Sequence, residues 1–116
     1  MSEEIIDVLI IGAGPAGLQA ALHAVRKKAS VVVLGRPERS SIYPAHVENY
    51  LCVEGVVEGS ELLRIALGQV KKFGAGILAE DVLQIEQVDD IFAVKSESRE
   101  LKARAIIIAT GTSRKK

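Results

Sequence analysis

The feature that most constrains this sequence is a glycine-rich hexapeptide between an apolar run and an amphipathic segment. The hexapeptide, residues 12–17, reads Gly-Ala-Gly-Pro-Ala-Gly and fits the pattern Gly-x-Gly-x-x-Gly. The β-branched run Ile5–Ile11 before it predicts a strand buried on both faces. After it, apolar residues at spacings of three and four predict a helix over residues 15–28, and Val31–Leu34 predicts a second strand. This order indicates a βαβ unit.

Within that unit the hexapeptide is typical of a turn that binds the pyrophosphate of a dinucleotide. Gly12 allows the tight turn, Gly14 removes the Cβ that would block a phosphate, and Gly17 lets helix and strand pack closely. Pro15 fits the first helical turn, where free amides and the helix dipole attract anions. A turn used purely for packing is the alternative, and the strand-helix-strand context disfavours it.

One expected feature is missing at the end of the second strand. An acidic residue there usually accepts hydrogen bonds from the adenosine ribose, but this sequence has Gly35 followed by Arg36. Arg36 could face a 2′-phosphate, which would favour NADP, lie against the adenine, or be a solvated loop residue. The sequence leaves these alternatives open. Glu38 is a candidate for a displaced ribose acceptor.

The remaining sequence predicts a loop, a helix and further strands. Residues 35–58 lack sustained periodicity and predict a long functional loop. Ser60 stands as the expected N-cap of a second helix that ends before Gly74-Ala75-Gly76. Residues 77–79, 82–88, 91–95 and a weaker piece near residue 101 predict a small antiparallel meander, and residues 105–109 a last apolar strand. We therefore expect an α/β, Rossmann-like fold with two helices and a parallel sheet of three or four strands.

Composition excludes several classes of partner. Fifteen Lys and Arg residues balance fifteen Asp and Glu residues, which disfavours nucleic acid. No apolar run approaches the ~18 residues that span a bilayer, so we expect no membrane partner and a cytoplasmic location. Cys52 is the single cysteine, so the chain holds no dithiol pair and no multi-cysteine metal site.

Five motifs in order carry a family resemblance. They are Ile-Ile-Gly-Ala-Gly-Pro-Ala-Gly at 10–17, Val-Glu-Asn-Tyr at 47–50, Gly-Ser-Glu-Leu-Leu at 59–63, Lys-Phe-Gly-Ala at 72–75 and Ile-Ile-Ala-Thr-Gly-Thr at 107–112. With these motifs the sequence resembles the FAD domain of the thioredoxin reductase family over nearly its whole length. The resemblance implies that the domain holds FAD in an electron transfer from NADPH through FAD to a disulfide.

The resemblance also implies which residues meet the cofactor. Asn49 matches the asparagine near the flavin, and Val82 aligns with the strand whose backbone meets the adenine. The cofactor-binding candidates are therefore Gly12, Ala13, Gly14, Pro15, Ala16, Gly17, Gly35, Arg36, Asn49, Val82, Ala109, Thr110 and Gly111. The first six match the pyrophosphate turn and the last three match the closing turn beside the cofactor. No residue is assigned a catalytic or metal-binding role.

Two local departures from the family pattern concern the flavin. Residues 37–41, Pro-Glu-Arg-Ser-Ser, replace the family's Gly-Gly-Gln stretch along the flavin. The family's Asn-aromatic-Pro-Gly turn becomes Asn-Tyr-Leu-Cys at 49–52, with Cys52 interpreted as a small, inert apolar residue.

The third departure is the largest, because the family's NADPH domain with its redox dithiol and a C-terminal FAD segment should follow residue 116. We therefore expect residues 1–116 to form a single FAD-binding domain segment that is incomplete alone. The expected partners are FAD and either the NADPH domain or a partner chain, and a homodimer is left open. One alternative is a non-catalytic module that binds an adenine dinucleotide, ADP or NAD(P). Another is a remnant that packs as an oligomer and binds nothing.

Overall fold

A computed structural model describes residues 4–111, which form two helices and eight strands. The elements are β1 (Ile5–Ile11), α1 (Pro15–Arg26), β2 (Val31–Leu34), β3 (His46–Val47), β4 (Val57–Glu58), α2 (Gly59–Lys72), β5 (Gly76–Leu78), β6 (Val82–Val88), β7 (Ile91–Ser96) and β8 (Glu100–Ile108). A short 3-10 turn covers Pro37–Arg39. Neither helix in this part of the chain is long and apolar enough to cross a membrane. Thr112, the end of the last motif, lies outside the described residues.

Six of the strands form one mixed sheet in the order β5-β2-β1-β8-β7-β6. The pairs β2-β5, β1-β2 and β1-β8 are parallel, whereas β7 pairs antiparallel with both β6 and β8. Leu9 in the central strand β1 is in register with Val32 on one side and Ile106 on the other. The predicted α/β, Rossmann-like fold is confirmed.

The assignment of residues 77–79 to the antiparallel meander is wrong. These residues belong to β5, which extends the parallel sheet with Ile77 in register with Val33. The physical reason is the preceding helix α2, which returns the chain along the helical face of the sheet, so that the next strand runs parallel to β2.

The last two predicted strands are one continuous strand. β8 runs without a break from Glu100 to Ile108, with its first residues paired to β7 and residues from Lys102 onward paired to β1. The weak apolar pattern near residue 101 reflects this double role, because Ala103 is buried while Arg104 is exposed and forms an ion pair with Asp7 at 3.5 Å.

The helix boundaries differ slightly from the prediction. α2 begins at Gly59 with Glu58 at the N-cap, so the expectation that Ser60 is the N-cap is wrong. The Gly59 N–H donates to the Ala45 carbonyl at 2.8 Å, which fixes the start of α2 against the preceding loop. α1 ends at Arg26 because the chain reaches the left-handed region at Lys28, with φ of 67°.

Two clusters of buried apolar side chains form the core around the sheet. The cluster on the helical face contains Ile10, Ala13, Leu18, Ala21, Val31, Val33, Leu63, Val70 and Ala75. The cluster that joins the sheet to the meander contains Ile6, Leu9, Leu34, Val94 and Ala103. With apolar side chains buried on both faces, β1 and β2 are rigid supports for the loops that follow them.

Candidate functional site

The carboxyl ends of four parallel strands meet at one edge of the sheet. Backbone hydrogen bonds connect them: the Gly12 N–H donates to the Leu34 carbonyl at 2.8 Å, and the Ala109 N–H donates to the Ile11 carbonyl at 2.8 Å. The Gly35 N–H donates to the Leu78 carbonyl at 3.0 Å and adds the end of β5. Open α/β sheets bind their ligands outside this edge.

The first and last glycines of the hexapeptide are required by packing. A Cβ on Gly12, whose φ is 122°, would lie 2.1 Å from the Ala109 carbonyl oxygen. A Cβ on Gly17 would lie 1.9 Å from the Gly12 carbonyl oxygen. Both contacts are with backbone atoms that cannot move away. These two glycines therefore bring β1, α1 and the segment after β8 into direct contact.

Gly14 is different, because its surroundings leave space on the outer side. A Cβ on Gly14 would meet only the Ser40 side chain, with Oγ at 3.0 Å and Cβ at 3.4 Å. Gly14 is also the N-cap of α1, and Pro15 opens the helix. Within residues 4–111 no side chain caps this helix and no acidic residue stands in its first turn. The helix N-terminus can therefore accept an anion.

A groove with a volume of about 550 Å³ runs past this helix end. Its lining residues are Ile11, Gly12, Ala13, Gly14, Pro15, Ala16, Leu34, Gly35, Arg36, Arg39, Ser40, Ser41, Glu80, Asp81, Val82, Ala109, Thr110 and Gly111. This volume lies within the usual range for small-molecule sites. Of the cofactor-binding candidates, the structure brings all but Gly17 and Asn49 to the groove.

Gly17 and Asn49 lie elsewhere for different reasons. Gly17 is buried in the first turn of α1, where it faces the Gly12 carbonyl, in keeping with its predicted packing role. Asn49 is exposed in the loop between β3 and β4, outside the groove lining, so its contact with a flavin stays a prediction. Cys52, interpreted from the sequence as a small apolar residue, is exposed with φ of 73°. It therefore contributes nothing to the described core.

Charged side chains cluster where β2 ends. The Arg36 guanidinium donates to Glu97 at 2.7 Å and pairs with Asp81 at 3.0 Å, while Arg39 pairs with the other Asp81 oxygen at 2.6 Å. The hydrogen bond that Arg36 donates to Glu97 raises the pKa of Arg36, and the same bond lowers the pKa of Glu97. Arg36 is thus held in ion pairs, and its contact with a ligand stays a prediction.

Glu80 also lines the groove, but its carboxylate is bound by other side chains of this chain. It accepts hydrogen bonds from Ser96 Oγ at 2.6 Å and Arg99 Nε at 2.8 Å, and only 12% of its side chain is exposed. The Ser96 hydrogen bond, followed by those of Arg99 and Ser98, lowers the pKa of Glu80 to about 2. This network ties the segment after β5 to the turn after β7.

Sequence reasoning missed five polar residues of the groove: Arg39, Ser40, Ser41, Glu80 and Asp81. All of them follow strands whose carboxyl ends meet at the groove. The available signal was the position of Asp81, which directly precedes the predicted adenine-contacting residue Val82. That signal could be used only if β5 was known to run parallel to β2, because the segment after β5 then lies at the groove. The sequence instead placed residues 77–79 in the meander.

Comparison with known proteins identifies the family. Residues 6–116 match the family model described as pyridine nucleotide-disulphide oxidoreductase. The chain is 41% identical over 119 residues to thioredoxin reductase of Bacillus subtilis, covering 100% of this chain and 37% of that protein. It is 38% identical over 116 residues to thioredoxin reductase of Listeria monocytogenes, covering 98% of this chain and 36% of that protein. The chain thus spans little more than a third of these relatives' length.

Solved structures give the same result. A thioredoxin reductase from Gloeobacter violaceus superimposes with a TM-score of 0.90 at 28% identity, over 95% of this chain and 35% of that one. A thioredoxin reductase from Lactococcus lactis superimposes with a TM-score of 0.87 at 33% identity, over 96% of this chain and 37% of that one. This chain belongs to the thioredoxin reductase family of pyridine nucleotide-disulphide oxidoreductases and is homologous to their N-terminal region.

Proposed function

We propose that this chain is the FAD-binding part of a thioredoxin-reductase-like flavoprotein, in which electrons pass from NADPH through FAD to a disulfide. The observation that carries the proposal is the uncapped N-terminus of α1, which opens beside Gly14 into a groove of about 550 Å³. A dinucleotide needs such a place for its two linked phosphates, and the helix dipole and free amides stabilise them without a lysine.

The chain's own residues would bind and orient the cofactor. The pyrophosphate would lie against the turn at Gly14 and Ala16, where Ser40 and Ser41 also line the groove. Because Gly12 and Gly17 lock this turn to the sheet through backbone contacts, its amides are oriented before the ligand arrives. Bound FAD would supply the electron-transfer chemistry, and the groove residues would position it.

The adenosine would lie toward the ends of β2 and β5, near Arg36 and Val82, and the flavin toward the closing turn at Ala109–Gly111. Thr110 and Gly111 are exposed at the groove, and a Cβ on Gly111 would meet no heavy atom of the described chain within 4 Å. That space supports a bulky ring system at this end. Contacts from Asn49 to the flavin remain part of the proposal.

NADPH binding and the redox dithiol would come from a domain or partner chain outside residues 1–116. Within residues 4–111, β7 pairs only with Glu100–Ala103 of β8, so that the side of β8 from Arg104 to Ile108 has no neighbouring strand. Ile108 is 68% exposed at this end. An apolar strand edge of this kind is a surface that proteins normally cover, which supports further protein at this position.

A second candidate function is a non-catalytic module that binds an adenine dinucleotide, ADP or NAD(P). The replacement of the family's Gly-Gly-Gln stretch by residues 37–41 favours it, because the short turn Pro37–Arg39 takes that place. In this alternative the chain binds the adenosine and phosphates but leaves no ordered site for a flavin ring.

The absorption spectrum of the purified chain, followed by identification of any released cofactor, distinguishes these functions. Flavin absorbance in the near ultraviolet and blue, with FAD released on denaturation, would support the first proposal. Colourless protein whose melting temperature rises with ADP, but not with added FAD, would support the second. A site filled at 100 times its Kd stabilises a protein by about 2.7 kcal/mol. An unchanged melting temperature with every adenine nucleotide would overturn both.

A further inference from the structure

The position that usually binds the adenosine ribose cannot do so in this chain. Gly35 follows β2 with φ of 152°, and a Cβ there would lie 2.9 Å from the Ala13 backbone nitrogen. The close approach of these two loops excludes any carboxylate side chain at residue 35. If the groove binds an adenosine ribose, its acceptor must come from another part of the chain.

Two carboxylates line the groove within residues 4–111, at Glu80 and Asp81. The Glu80 carboxylate accepts hydrogen bonds from Ser96, Ser98 and Arg99, and its side chain is mostly buried. The candidate named from the sequence, Glu38, lines a different cavity beside α2. Asp81 is left as the accessible carboxylate, with 38% of its side chain exposed.

Asp81 stands next to the position that Gly35 leaves without a side chain. The residue after Gly35 is Arg36, and its Nη1 lies 3.0 Å from Asp81 Oδ1, while Arg39 Nη1 lies 2.6 Å from Asp81 Oδ2. Each carboxylate oxygen therefore has one arginine partner. Since a carboxylate offers about four acceptor sites, one on each oxygen remains for a hydroxyl donor. Two neighbouring acceptors suit the vicinal 2′- and 3′-hydroxyls of a ribose.

The charges around Asp81 disfavour a phosphorylated ribose. Arg36 and Arg39 supply two positive charges, and Asp81 with Glu97 supplies two negative ones. The cluster is therefore neutral, and Asp81 would stand directly against a 2′-phosphate. A site for that group needs arginines that are free to pair with it.

We propose that Asp81, held between Arg36 and Arg39, is the ribose-recognising residue of the groove and selects adenine nucleotides with free 2′- and 3′-hydroxyls. This inference rests on the proposed function, because it assumes that the groove binds adenine nucleotides. It assigns the recognition to the segment between β5 and β6 instead of the end of β2. Under this proposal Arg36 positions Asp81 and does not bind a 2′-phosphate.

Isothermal titration of the full chain with ADP, 2′-deoxy-ADP and adenosine 2′,5′-bisphosphate tests the proposal. We expect ADP to bind about tenfold more tightly than 2′-deoxy-ADP, the usual effect of a hydrogen bond to a charged group. In Asp81→Asn this preference should shrink to about twofold or less. Glu38→Gln is the matched control, since Glu38 lines the separate cavity beside α2, and it should retain the preference.

Asp81→Asn leaves two arginines without a shared partner and could lower stability. The double variant Arg39→Gln/Asp81→Asn removes one positive and one negative charge together, and it should show the same loss of preference. A tenfold preference that survives in these variants, or tighter binding of the bisphosphate than of ADP to the wild-type chain, overturns the assignment of Asp81. If none of the three nucleotides binds to the wild-type chain, the proposed function is overturned together with the assignment of Asp81.

Discussion

The carbonyl oxygen of Gly12 lies 1.9 Å from the point where a Cβ on Gly17 would sit. No side chain can occupy that point, because the oxygen belongs to a turn that is itself fixed against Ala109. This contact sets the distance between β1 and α1. It therefore determines where the N-terminus of α1 opens into the groove.

Gly17→Ala should destabilise the fold severely. The added methyl group would force α1 away from β1, and overpacking of a rigid contact costs about 3 kcal/mol or more. Urea unfolding followed by circular dichroism measures the loss as a lower midpoint at an unchanged slope.

Gly68→Ala provides the control for helix propensity. Gly68 also lies within a helix, but a Cβ there would meet no heavy atom within 4 Å. The alanine variant should gain about 0.5–1 kcal/mol, since glycine is the poorer helix former. Equal effects of the two substitutions would show that packing at residue 17 is not decisive.

Gly14→Val should abolish nucleotide binding while the chain remains folded. Its Cβ would meet only the Ser40 side chain, which can rotate, whereas its methyl groups would fill the place proposed for the pyrophosphate. Differential scanning fluorimetry should show a melting temperature within a few degrees of wild type and no further rise with ADP. Retained nucleotide binding would place the phosphate site elsewhere in the molecule.

Local sequence patterns predicted the part of the fold that depends on neighbouring residues. The βαβ unit from Ile5 to Leu34 followed from apolar spacing and from the glycines, and its bounds were correct except for the end of α1. Strand pairing was harder to predict. β5 was assigned to the meander and β8 was predicted as two separate pieces, because their partners lie far away in the sequence and short apolar runs do not reveal them.

The same division holds for the candidate site. The turn proposed to bind the pyrophosphate is a contiguous motif whose glycines each have a local steric reason, so the sequence predicted its place in the fold. The pairing of Arg36 with Glu97 spans 61 positions and depends on the meander returning to the end of β2. The ion pairs of Arg36 therefore could not be predicted before the strand order was known.

Cys52→Gly should stabilise the chain slightly. Cys52 is the third residue of a turn closed by the Val53 N–H and the Tyr50 carbonyl at 3.0 Å, and its φ of 73° is left-handed. The family pattern has glycine here, and this chain keeps the glycine-like backbone. Relief of that strain should raise the free energy of unfolding by about 0.5–1 kcal/mol. Chemical denaturation of both proteins measures it.

Cys52→Ala is the matched control for this prediction. Alanine removes the exposed thiol but retains a Cβ, so the left-handed backbone remains strained and stability should stay close to wild type. If the alanine and glycine variants are equally stable, the gain comes from loss of the thiol and the strain argument is wrong.

Glu80→Gln should change how the stability of the chain depends on pH. Hydrogen bonds from Ser96, Arg99 and Ser98 lower the pKa of Glu80 from 4.5 to about 2 in the folded chain. Its stabilising contribution is therefore fully present above about pH 4.5 and is lost as the pH falls through the folded pKa. The wild-type melting temperature should exceed that of Glu80→Gln by several degrees at neutral pH, and the difference should narrow steadily in acid.

Glu38→Gln, at an exposed glutamate of the turn Pro37–Arg39, should follow the wild-type curve throughout. A difference between wild type and Glu80→Gln that stays constant from neutral pH down to about pH 2.5 would mean that the Glu80 network does not exist in solution.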